Sequence, residues 1–334
     1  GTSSIKFRIE DAAGNTGSVT TQAYTLDTTA PTITTVAVAG ATEDGYGVAS
    51  TYVVTLTPSE TLSAVPTLTV TGGTITTAGA ASSSNYVYTV TPSDADEAMT
   101  VVVAVGGAAD SAGNTNTAAS NNFGWTHDAT VPTVTSIAVT GVTSGQYGTA
   151  ATYQVIVTAS ETLEDAPSLS LSGGSITTAG AGSSSDTVWT YTFTPTDNDE
   201  AVTIDVAAGA ITDSAGNDNT AAATQFLFTH DRTAPTATIA STEVTTGGSI
   251  NEAVTFTVTF NEQMTGIADG DFTVAGATCV LSGYTVTTAN TVFTQICTPD
   301  TNGETTTISV ASGAGTDPAG NDNSAATDFT FIYD

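Results

Sequence analysis

A five-residue signature, Asp-x-x-Gly-Asn, occurs four times in this chain of 334 residues, at Asp11–Asn15, Asp110–Asn114, Asp213–Asn217 and Asp317–Asn321. The intervals are 99, 103 and 104 residues. A second signature follows each of the first three: Asp27-Thr-Thr-Ala-Pro31, Asp128-Ala-Thr-Val-Pro132 and Asp231-Arg-Thr-Ala-Pro235, with Asp334 standing where a fourth would begin. Between the signatures the first two copies align closely, residues 67–80 with 168–181 and 92–98 with 195–201, while the third keeps the frame and drifts in the middle. A unit of about 100 residues is far longer than the 20–50 of a solenoid repeat. It has the size of a domain. The chain therefore divides into three copies, 28–128, 129–231 and 232–334, preceded by 1–27, the C-terminal hairpin of an incomplete copy.

Within each copy the apolar period is two. Val36 and Val38, then Tyr52, Val54 and Leu56, alternate with Thr, Ser and Ala, the pattern of half-buried strands. Gly or Pro interrupts at short intervals and no 3.6-residue stripe appears. The first copy predicts strands near 33–39, 51–57, 67–71, 73–77, 86–91, 98–105 and 118–126. Seven short antiparallel strands in about 100 residues make an all-β immunoglobulin-like sandwich. The pairs Tyr86/Tyr88, Phe123/Trp125, Trp189/Tyr191 and Phe226/Phe228 supply the bulk of the first two cores. The first 27 residues hold only two strands, Ile5–Ile9 and Val19–Leu26, and an isolated hairpin is marginal in water. Either the rest of that sandwich is not included in this stretch, or these strands complete a sheet of a neighbouring subunit.

Charge excludes whole classes of partner. There are 33 Asp and Glu against Lys6, Arg8 and Arg232, a net charge of −30. Binding nucleic acid or anionic lipid needs clustered Lys and Arg. Apolar residues are 39% of the chain, too many for a solvated acidic tail. The longest apolar stretch, 98–109, is too short to span a bilayer, and neither a signal peptide nor an Asn-x-Ser/Thr acceptor occurs in this stretch. Cys279 and Cys297, the only cysteines, fall in neighbouring predicted strands of the third copy and are expected to form a disulfide; two buried free thiols are the alternative.

Strand parity gathers the acids. Loops after the second and sixth strands share an end of each sandwich, and the linker enters at that end. Asp27, Glu60, Asp110 and Asn114 are therefore expected to converge in the first copy. Asp128, Glu161, Asp213 and Asn217 do so in the second, and Asp231, Glu262, Asp317 and Asn321 in the third. Several carboxylates brought together disfavour their own ionisation unless a counter-charge is present, and Ca²⁺, with six to eight oxygen ligands, meets that need better than Mg²⁺. The plainer alternative is that Asp and Asn only build a turn through side-chain-to-backbone hydrogen bonds. The loop after the fifth strand, with Asp94, Asp96 and Glu97, or Asp197, Asp199 and Glu200, lies at the opposite end, where Asp96 and Asp199 either join the next linker or stay solvated. Asp186 is expected on a strand edge away from these groups.

An Asp-x-x-Gly-Asn loop, a final strand and an Asp-x-Thr-x-Pro linker together resemble the bacterial Ig-like (Big) repeats of giant cell-surface adhesins. The third copy carries the resemblance best, in Phe256-Thr-Val-Thr-Phe-Asn-Glu-Gln-Met264, Gly270-Asp-Phe-Thr-Val274 and Asp317-Pro-Ala-Gly-Asn321. The resemblance covers nearly the whole chain. It implies an extracellular structural segment, a Ca²⁺-rigidified stalk or the body of a surface filament, whose partners are adjacent repeats or neighbouring subunits. At about 3.3 Å per strand residue, with loops, each repeat rises on the order of 40 Å and three form an extended rod. The reading from another class is a binding module for sugar, ice or a host protein, with the divergent third copy as the binding domain. No enzyme is expected. The only histidines, His127 and His230, are equivalent repeat positions, and no Gly-x-Ser-x-Gly, His-Glu-x-x-His or phosphate-loop motif occurs. Lysine–asparagine crosslinks are excluded in the three full copies, which contain no lysine.

Overall fold

Two-residue alternation becomes burial on one face of each strand. The computed structural model describes residues 1–82, 84–181, 187–276, 278–286 and 289–334; Asp186 lies outside the described residues. Strands β1 (Thr2–Phe7) and β2 (Thr20–Thr25) form an antiparallel hairpin, exposed along its length. Eight strands follow: β3 (Ile33–Ala39), β4 (Tyr46–Gly47), β5 (Tyr52–Pro58), β6 (Leu68–Thr71), β7 (Gly73–Ser82), β8 (Asn85–Pro92), β9 (Asp96–Val103) and β10 (Phe123–Asp128). They make two four-stranded sheets, β3-β5-β8-β7 and β4-β10-β9-β6. All pairings are antiparallel except β4 with β10. Separating the first, second, fifth and fourth long strands from the third, sixth and seventh is the immunoglobulin arrangement. The same two-sheet order recurs over Val134–Asp231 and Ala237–Tyr333. Among the described residues there is no α-helix, only a 3₁₀ turn at Asp269–Asp271, and no helix is long and apolar enough to cross a membrane.

The chain forms two compact units. One comprises residues 1–132 with 162–164 and 212–219; the other comprises 133–161, 165–211 and 220–334. In the first, Tyr52, Val54 and Leu56 of β5 and Tyr86, Tyr88 and Val90 of β8 face Met99, Val101 and Val103 of β9 and Trp125 of β10. In the second unit Phe256, Phe260, Phe272, Phe293 and Phe331 fill the last core, and Tyr153 meets Phe228 edge-on across the preceding one. Each such aromatic removes 150–250 Å² from water.

Several boundaries differ from the sequence reading: the strand expected at 73–77 continues to Ser82, that expected at 98–105 covers Asp96–Val103, and the last strand is displaced. The last strand runs 123–128 rather than 118–126, because Asn116 donates to the carbonyls of Ala104 and Ala118, and Ser120 N–H bonds Val103 O. That keeps 118–122 irregular. β10 instead continues to Asp128, which sits opposite Asp96. The two-residue β4 was invisible to periodicity, being shorter than any alternation.

The histidines are structural. The Tyr52 hydroxyl lies 2.7 Å from His127 Nδ1, and that of Tyr153 lies 2.8 Å from His230 Nδ1, with all four side chains buried. Burial holds the His230 imidazole below its usual range. In the last sandwich Val254 and Tyr333 take these two places, so the pair is lost at both positions at once.

Cys279 and Cys297 are joined in a disulfide with Cα atoms 5.5 Å apart, between neighbouring strands Cys279–Val286 and Val292–Pro299. Closing a loop of 18 residues stabilises a fold by about 3 kcal/mol in the chain-entropy view. The denatured, unreduced chain should therefore show no free thiol, and reduction should lower the stability of the last sandwich alone by that amount. Two thiols titrating without reductant would contradict the assignment.

Candidate metal centre

Each Asp-x-x-Gly-Asn loop is a closed hydrogen-bonded turn. Asp110 Oδ1 accepts the backbone N–H groups of Ala112 (2.8 Å) and Asn114 (2.9 Å), and its Oδ2 accepts the Asn114 side-chain amide at 2.8 Å. The same contacts recur at Asp213 and Asn217. Asp317 likewise accepts both the backbone and the side chain of Asn321. Glycine in fourth place is required by the turn, since Gly113, Gly216 and Gly320 have φ between +92° and +94°, where a side chain is strained. The Asn114 amide, and secondarily the backbone N–H groups, holds the Asp110 carboxyl below the usual range. The hairpin makes the identical turn at Asp11 and Asn15.

Clusters arise where linker and strand end meet this turn. In the first unit Asp27, Glu60 and Asp110 bring carboxylate oxygens within 4.8 Å of one another. In the second unit Asp231, Glu262 and Asp317 do the same. Glu60 and Glu262 follow the strands Tyr52–Pro58 and Val254–Phe260, and Glu161 holds the equivalent place after Tyr153–Ala159.

The acids at the other end of each sandwich divide into two roles. Glu97 accepts the backbone N–H of Asp94, and Glu200 those of Thr196 and Asp197, so both close their own loops. Asp96 stands opposite Asp128, and Asp199 opposite Asp231, across their ladders. In the first unit Asp96 also accepts the Thr130 hydroxyl at 2.8 Å. Burial raises the Asp128 carboxyl above its usual range, reinforced by a hydrogen bond with Asp96 and by the charge of Asp213. In the second unit burial pushes Asp231 up to about 6, with a hydrogen bond to Asp199 and the charge of Asp317 adding to it. Glu262 is raised by burial and then by Asp231, Asp317 and Asp199. Three carboxylates thus gather in the second unit, Asp231, Glu262 and Asp317, with Asp199 facing Asp231 across the ladder.

The linkers are held by more than a Thr-x-Pro step. Asp27, Asp128 and Asp231 each accept, through Oδ1, the N–H of the threonine two residues on, at 3.0–3.2 Å. Sequence reasoning also missed Asn116 and Asn323. Each is buried and spends its whole amide on backbone: Asn116 accepts from Ala108 N–H and donates to Ala104 O and Ala118 O, all at 2.8 Å. Asn323 does the same with Gly315, Ala311 and Ser324. Their signal was present, an Asn two residues beyond the signature in all three full copies.

The family described as "Bacterial Ig-like domain" matches residues 128–229 and 231–333. No curated protein matches the chain. Among solved structures, an I-band fragment I67–I69 from titin is 8% identical, covering 92% of this chain and 99% of that one, with a TM-score of 0.44. Invasin, a bacterial integrin-binding protein, is 12% identical over 82% of this chain and 56% of its own, at 0.37. The D0-D1 domain of intimin is 16% identical over 60% of this chain and 100% of its own, at 0.21. Likeness at these levels carries no argument about function.

The Asp231 carboxyl titrates near 6 in the folded chain against 3.8 for the free side chain. A folded value above the unfolded one favours folding at low pH, and that contribution is lost as pH rises from about 4 through 6. In a chelator, the melting temperature should therefore fall over this window. Asp231→Asn, which cannot ionise, should flatten the fall. Identical pH profiles for the two proteins, followed by circular dichroism, would contradict the crowding described above.

Proposed function

Because the chain belongs to the bacterial Ig-like domain family, we propose that it is a structural segment of an extracellular, adhesin-type surface protein whose sandwich junctions bind Ca²⁺ and are stiffened by it. The observation that carries this reading is the meeting of Asp231, Glu262 and Asp317 in the second unit, with Asp199 facing Asp231. Burying carboxylates beside one another is costly, and a chain with three cationic side chains in all has little protein charge to spend there. A hard divalent ion that takes many oxygens at 2.3–2.6 Å offsets the repulsion. Asp27, Glu60 and Asp110 are the corresponding donors in the first unit. In the middle copy the donors are Asp128 and Asp213, with Asp96 opposite Asp128. Asn114, Asn217 and Asn321 stand next to each set.

The role that follows is mechanical. Repeats of this kind transmit force and hold distance, whether in a stalk that extends an adhesin or in the body of a filament. Their partners are then adjacent repeats or neighbouring subunits. Catalysis has no place in this reading.

A ligand bound only by the native state adds RT ln(1 + [L]/Kd), about 2.7 kcal/mol per site at a hundredfold excess over Kd. Millimolar Ca²⁺ should therefore raise the melting temperature well above its value in chelator. Asp317→Asn should remove the increment belonging to the last sandwich. Superimposable melting curves in Ca²⁺ and in chelator would end the calcium reading.

A further inference from the structure

We propose that Asn114, Asn217 and Asn321 are latches that hold each linker against the loop without a metal, and are positioning residues rather than ligands. The Asn114 Nδ2 group lies 2.8 Å from Asp110 Oδ2 and 3.2 Å from the main-chain oxygen of Asp27. Asn217 Nδ2 lies 2.9 Å from Asp213 Oδ2 and 3.1 Å from Asp128 O. Asn321 Nδ2 lies 2.8 Å from Asp317 Oδ2 and 3.1 Å from Asp231 O, with Asp231 Oδ1 at 3.2 Å. A carboxylate and a carbonyl are both acceptors, so only the NH₂ end of the amide satisfies them. That end has no lone pair to give a cation. Three linkers are gripped in the same way across sequence separations of 87, 89 and 90 residues.

The grip falls on a linker residue that is already shaped. The linker aspartate turns its own Oδ1 onto the threonine N–H two residues on, an Asx turn that fixes the direction in which the chain leaves. Its carbonyl is then presented to the asparagine. Asn15 makes the same bond to its own aspartate, at 2.9 Å. The Asp-x-x-Gly-Asn and Asp-x-Thr-x-Pro signatures therefore recur together as two halves of one hydrogen-bonded joint. This inference does not depend on Ca²⁺, which would act on the carboxylates of a joint already in register.

The test uses the full 334-residue chain with Asn321→Ala, Asn321→Asp and, as control, Asn15→Asp. Hydrogen exchange of the 231–236 segment is followed by mass spectrometry in EDTA and in Ca²⁺. Loss of one hydrogen bond corresponds to roughly a 2–10-fold change in opening equilibrium. Both Asn321 variants should therefore exchange faster by about that factor in EDTA, and Asn15→Asp should leave the segment unchanged. Unaltered exchange in EDTA, with a calcium-induced rise in melting temperature lost in Asn321→Ala and kept in Asn321→Asp, would assign the residue as a ligand and overturn the proposal. If the last sandwich fails to fold in either variant, Asn114→Asp followed at 27–32 separates latch from ligand in the same way, since Asp27 is an exposed residue. An absent Ca²⁺ effect in the unsubstituted chain removes the calcium reading, and the EDTA comparison then decides the latch alone.

Discussion

One carboxylate in each repeat organises the end of its sandwich. Asp110, Asp213 and Asp317 are almost fully buried, yet each has its charge met by backbone N–H groups and an asparagine amide within five residues of itself. Burying a charge is expensive unless hydrogen bonds replace the lost water, and here the replacement is local, so the turn is self-sufficient. A rigid turn presents the free side of the asparagine amide outward, and the linker carbonyl docks there. The linker aspartate is held by this docking, while the strand-end glutamate and the facing aspartate are placed by their own strands.

The electrostatics of the joints are a consequence of that geometry. Hydrogen bonds to the Asn114 amide and to backbone lower the Asp110 carboxyl, whereas burial and neighbouring acids raise Asp128, Asp231 and Glu262. Asp110 is favoured as an anion by its own turn, while Asp128, Asp231 and Glu262, at other joints, are disfavoured as anions by burial and by their acidic neighbours. A chain of this composition has left the repulsion in place at recurrent positions. At each of these positions the linker stays hydrogen-bonded in register although its acids are crowded.

The last repeat shows how much of the pattern is frame and how much is filling. Its turn, linker and acidic triad are retained, but the Tyr–His pair of the first two copies is replaced at both positions together. Gln295 takes the place of Tyr88 in the strand order, and a phenol reaches the facing loop from the neighbouring strand instead, with Tyr284 bonding Ile267 O at 2.9 Å where Tyr191 bonds Pro167 O at 2.6 Å. The disulfide is confined to this copy. Core and staples have been exchanged around an unchanged joint.

From residues alone, the repeat, the strands and the sandwich were legible, because an alternation such as Tyr52-Val54-Leu56 has one stable outcome when the opposite face is Thr and Ser. Parity alone also placed Glu60 and Asp110 at one end, since successive strands must reverse direction. What the tertiary structure decided was the division of labour among polar groups of the same type. Asp96 and Glu97 are adjacent in sequence, yet one meets the linker and the other closes its own loop. Asn114 and Asn116 are two residues apart, yet one grips a linker and the other is consumed inside the fold. An amide or a carboxylate has the same inventory of donors and acceptors wherever it stands; its role is set by which unpaired backbone groups the packing of distant strands leaves within about 3 Å of it.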